Sequence, residues 1–150
     1  MNMELYFKKV YTVAFRLTGE EKAASEIAIS AITHTIKESN EDYRVTANMF
    51  QSTIQELVKI FLAEPFTSYN DNIDGIQSAL LKLKPINRAV VVWKDVLGYE
   101  LSDNMPVADY SCGELLGELN SGRKQLKNYI IHENAAVIKE HSIHESTVEM

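Results

Sequence analysis

The sequence predicts an all-α fold. Apolar residues recur near every 3.6 positions over most of the chain, and no window alternates apolar with polar residues for long. Gly and Pro are scarce, six and three in 150 residues, which leaves few natural interruptions. A first helix is expected over Glu4–Leu17, with Leu5, Tyr11 and Phe15 on one face and Thr18-Gly19 as its stop. A second runs from about Glu20 to Lys37 and carries Ala24, Ile27, Ala31 and Ile32 inward. After the polar break ESNEDYR, a third covers about Thr46 to Ala63 with Met49, Phe50, Ile54, Leu57 and Phe61 as its stripe. Three helices with short connections predict a small bundle.

The composition then shifts. Residues 64–75, EPFTSYNDNIDG, have no helical period and read as an interdomain linker. Helices resume over Ile76–Leu83 and, after Lys84-Pro85, over Ile86–Leu97. Pro85 suits a first helical turn, where its missing N–H costs nothing. Gly98 ends that helix. The stretch YELSDNMPVADYSCGELLGELNSGRKQL, residues 99–126, has the spacing of two short helices around a turn at Ser111-Cys112-Gly113. From about Ile131 the period weakens, which predicts a flexible or short-helical tail. The expected division is a helical domain over 1–63, a linker over 64–75, a second helical domain over 76–131 and a tail over 132–150.

At 45% apolar and 24% charged residues the composition is that of an ordinary globular protein, and its formal charge is -6. That balance argues against unspecific attachment to nucleic acid or anionic lipid. Cys112 is the sole cysteine, so no internal disulfide can form and a reducing, cytoplasmic setting is expected. No apolar run is long enough to span a bilayer, so no membrane partner is expected. We find no Gly-rich phosphate loop, nucleophile elbow or acid–base pair, and expect no enzyme, cofactor or small-molecule substrate. His141-x-x-His144, with His132 nearby, lacks the companion ligands that a closed metal shell needs. No metal is expected.

Two segments carry a family resemblance. LYFKKVYTVAFRLTGEEKAASEIAISAI and ALLKLKPINRAVVVWKDVLGYELSDNMPVADYSCGELLGELNSGRKQL resemble regions 2 and 4 of an extracytoplasmic-function (ECF) sigma factor of bacterial RNA polymerase, in the sigma-70 family. In region 4 the residues at matching positions are Arg88, Gly98, Tyr99, Ser111, Gly113, Leu115, Leu119, Arg123 and Leu126. The resemblance covers about Leu5 to Leu126. It implies two helical domains, the second a helix-turn-helix, with RNA polymerase core, an anti-sigma factor and promoter DNA as partners.

The departures are as informative. Family positions facing DNA in the recognition helix hold Glu114, Leu116, Gly117, Glu118, Asn120 and Ser121 here. Between Asp95 and Gly122 there is no Lys or Arg, and six carboxylates stand at 95, 100, 103, 109, 114 and 118. Every cation withdrawn from the phosphate backbone lowers the salt slope of binding by about one unit. Pro106 falls where the family continues its scaffold helix, so that helix must start late or kink, with Ser102, Asp103 or Asn104 as its cap. In region 2, Ile29 and Ser30 replace the Gln and acidic residue thought to meet the polymerase clamp, while Glu26 keeps the preceding acidic position. The promoter-melting helix offers one cation, Lys59.

These substitutions predict a sigma-like regulator whose working surfaces meet protein, with promoter DNA binding weak or absent. Its partner residues are Glu26, Ile27, Ile29, Ser30, Glu114, Leu116 and Glu118. The resemblance also leaves open a working ECF sigma factor, with Arg88, Arg123 and Lys124 on phosphate and Tyr43-Arg44 near the melted strand. A third possibility is a structural or dimerising helical protein that keeps the scaffold for its packing.

Overall fold

Short polar residues and left-handed glycines punctuate the chain in a computed structural model that describes residues 1–38, 45–66, 75–101, 105, 107 and 109–148, with side chains described through 132. Among the described residues there are six α-helices and no strand: α1 (Met3–Thr18), α2 (Glu21–Glu38), α3 (Ala47–Ala63), α4 (Ile76–Leu81), α5 (Pro85–Val91) and α6 (Cys112–Val148). A π-helical turn, Val92–Val96, continues α5. Asn2 Oδ1 accepts the Leu5 amide at 2.7 Å and Thr46 Oγ1 accepts the Met49 amide at 3.1 Å, so α1 and α3 both start on side-chain caps. Gly19, at φ 75°, closes α1 by donating its amide to the Phe15 carbonyl. Gly98, also at φ 75°, ends the π turn. Pro85 occupies the first turn of α5.

Helices α1, α2 and α3 pack as a bundle around Tyr6, Val10, Leu17, Ala24, Ala28, Ala31, Ile54, Leu57 and Phe61. The alanines of α2 let α1 and α3 approach it closely. Helices α4, α5 and α6 pack around Leu80, Leu83, Val90, Trp93, Leu115 and Leu119. At Gly122 a Cβ would stand 2.9 Å from Val91 Cγ2 and 3.4 Å from Asn87, so only a bare backbone fits between α6 and α5. The two halves touch: α1 meets α4 and α5, and α3 meets α5.

Arg88 sits at the centre of that interface. It is 1% exposed, and its guanidinium donates to the carbonyls of Leu80 (2.9 Å), Leu81 (3.0 Å), Leu83 (2.8 Å) and, across the halves, Leu17. Phe61 lies beneath it at 5.8 Å. Every buried side-chain nitrogen or oxygen among the described residues has a hydrogen-bond partner.

The region around residues 99–126 differs from expectation. Of the two helices anticipated around the Ser111 turn, the second forms and the first does not among the described residues from Tyr99 to Tyr110. The chain there makes isolated turns instead, with Val107 N–H on the Met105 carbonyl and Tyr110 N–H on the Val107 carbonyl. Pro106 cannot supply an amide to a helical ladder. The expected caps Ser102, Asp103 and Asn104, Pro106 itself, and the Tyr43-Arg44 element lie outside the described residues. At the other end α6 is longer than expected. It runs unbroken through the anticipated tail to Val148, 37 residues and roughly 55 Å at 1.5 Å per residue.

Candidate protein-binding surface

The expected partner residues of the first half lie on α2, and helical geometry divides them. Ile27 and Ile29 are two positions apart, roughly 200° around the axis, so they occupy opposite flanks. Ile29 is 64% exposed and lines a groove of about 480 Å³ with Phe7 and Tyr11 of α1 and Ile32 and Ile36 of α2. Ile27 is half-buried and lines a cleft of about 780 Å³ with Ile60, Phe61 and Phe66. Glu20, Lys22, Glu26 and Glu64 edge that cleft. Glu26 and Ser30 project from the outer face between the two depressions, both exposed. The ridge is thus polar along its crest and apolar along both sides.

On α6 the inward positions are Leu115, Leu119 and Gly122, which seat the helix on α5. Ser111 Oγ accepts the Glu114 amide at 3.1 Å and its carbonyl accepts the Leu115 amide, which starts the helix. Gly113 lies within the first helical turn rather than in a left-handed turn. Glu114 is exposed, and its charge near the helix N-terminus is favourable. Leu116 is 49% exposed. Glu118 is half-buried and partly committed, because Asn87 Nδ2 donates to its carboxylate at 2.7 Å and to its backbone carbonyl at 3.0 Å. Of the three expected α6 residues, Glu114 and Leu116 therefore face outward and Glu118 has a packing role.

The candidate DNA-binding residues fare differently. Arg88 is corrected: buried among carbonyls, its guanidinium cannot reach a phosphate. Arg123 is exposed but forked onto Asp95, with Nε 2.9 Å from Oδ2 and the second nitrogen on Oδ1. The hydrogen bond from Arg123 outweighs partial burial and holds the Asp95 carboxyl below its ordinary range, and the same bond raises the guanidinium. Lys94 pairs with Glu100 at 2.9 Å. Lys82 lies over the Tyr129 ring at 5.4 Å. Lys124 is exposed on α6.

Exposure and commitment were invisible in the sequence for Asp95 and Asn87, the residues that occupy Arg123 and Glu118. Their only signal is helical register against α6, which needs the helix pairing first. Cys112 is exposed at the first residue of α6. Among the described residues no three His, Cys, Asp or Glu side chains converge as a metal set, and no helix is long and apolar enough to cross a membrane. No protein-family model matches the chain, and no curated protein matches it in sequence.

Proposed function

We propose that the protein is a sigma-factor-like regulator of bacterial transcription that works through protein contacts, on an anti-sigma factor or on RNA polymerase core. The observation that carries this reading is the outer face of α6. Where a DNA reader needs cations, the face presents Glu114, Leu116, Gly117, Asn120 and Ser121, all exposed, and the adjacent Arg123 is already paired. Phosphate contacts set the register of base readout, and a helix without them has no hold on the duplex. An exposed Leu beside exposed Glu is instead the composition of a surface that meets protein. Ile29, flanked by its apolar groove, supplies the matching feature on α2. Polypeptide partners dock a helix into such grooves by apolar anchors at helical spacing.

The test is capture from the source cell, scored against purified polymerase core, anti-sigma factor and promoter DNA. Retention of core or anti-sigma is expected, with Ile29→Asp and Leu116→Asp each lowering capture about tenfold or more, the cost of losing an apolar anchor. Promoter-specific transcription by core plus this protein would overturn the reading in favour of a working sigma factor. Retention of none of the three would leave a structural or dimerising helical protein.

A further inference from the structure

Two faces on different helices have complementary chemistry. The cleft beside α2 and the end of α3, about 780 Å³, has Ile27, Ile60 and Phe66 in its lining. Its edges carry three carboxylates, Glu20, Glu26 and Glu64, against one lysine, Lys22. The opposite composition stands on α6. At about 100° per residue, Lys124, Lys127 and Ile131 fall within about 60° of one another, on the side away from Leu115, Leu119 and Gly122. All three are exposed, Ile131 by 52%. Among the described residues, neither lysine and none of the three carboxylates belongs to an ion pair. Charges of the two signs are thus uncommitted, each set beside an exposed apolar side chain, Phe66 or Ile131. Within one molecule α6 packs on α4 and α5, so its outer face meets such a cleft on another copy.

We propose that the protein self-associates as a twofold dimer, in which the α6 face bearing Lys124, Lys127 and Ile131 docks in the α2–α3 cleft of the other copy. Ile131 enters the apolar lining, and the two lysines meet the carboxylate edge. A twofold axis makes this contact occur twice, once in each direction. Screening damps the mutual repulsion of two copies at -6 each beyond about 8 Å, while paired side chains sit closer than that. The dimer covers Glu26 and Ile27, so any other ligand of the cleft selects the monomer. This inference stands whether or not the protein acts in transcription.

Sedimentation equilibrium of the full chain over a concentration series tests it. Wild type should dimerise reversibly, and monomer alone up to about 1 mM would overturn the proposal. Glu26→Lys with Glu64→Lys reverses the cleft, and Lys124→Glu with Lys127→Glu reverses the helix face. Each double variant alone should dimerise about 100-fold more weakly, since every lost pair counts twice in the dimer. An equal mixture of the two places opposite charges together at both contacts and should restore the dimer. Dimers that persist unchanged in either variant alone, or a mixture that stays monomeric, would overturn the proposal. All four positions are exposed, so helix content should match wild type. The milder pair Lys124→Gln with Lys127→Gln adds no repulsion and should weaken association about tenfold. No weakening there would overturn the proposal as well.

Discussion

Arg88 takes its position from carbonyls rather than from the solvent, and its chemistry follows from that. A planar guanidinium reaches Leu17, Leu80, Leu81 and Leu83 at once, which a lysine ammonium on a flexible stem cannot do. Replacing it by Met leaves these acceptors without their donor, and the expected loss is about 3–5 kcal/mol in urea unfolding. Lys at the same place should recover only part of it. Asp95 behaves in the opposite way, at the surface. Its carboxyl titrates below the ordinary range because Arg123 holds the charged form. A depressed folded value means that the contribution is present above the unfolded carboxylate range and is lost as pH falls through the folded value. Screening limits it to about 0.5 kcal/mol. Asp95→Asn should therefore lower the urea midpoint slightly at neutral pH, and the difference from wild type should vanish in acid.

At the scale of the helix, two glycines of α6 separate packing from propensity. Gly122→Ala forces a methyl against Val91 and Asn87. Overpacking of this kind costs about 1–3 kcal/mol, against a gain of about 1 kcal/mol from better helix propensity. Thermal unfolding should show a net loss. A Cβ at Gly117 meets nothing within 4 Å, so Gly117→Ala should stabilise the chain by about 1 kcal/mol. The helices themselves were legible in the residues. The stripe Met49, Ile54, Leu57, Phe61 locates α3 and Thr18-Gly19 locates the end of α1, because period and chain breaks are local properties, whereas the sequence put Thr46 inside the helix that it caps. The π turn at Val92–Val96 was not legible, since one extra residue in a turn leaves the apolar spacing of a short helix nearly unchanged. Nor was the length of α6, whose last turns carry no strong stripe. Arg88 misled because a motif match marks position and is silent about burial.

Across the whole molecule, the acidic total of -6 and the Arg123–Asp95 pair make one picture. The exposed face of α6 between Ser111 and Gly122 has carboxylates and no cation, so its association with duplex DNA should be weak and nearly independent of salt. Titration of labelled duplex at low and high ionic strength measures this directly, and a steep slope would contradict it. The single tryptophan gives the molecule an internal reporter. Trp93 is fully buried, its ring centroid is 4.9 Å from that of Tyr99, and its indole N–H donates to the Glu100 carbonyl at 2.9 Å. Its emission should be blue-shifted in the native protein and red-shifted when water reaches the π turn. The first half contains tyrosine and phenylalanine alone as ring fluorophores. One spectrum therefore carries two colours of information: indole light reads the fate of α4–α6, while phenol light retains a contribution from α1.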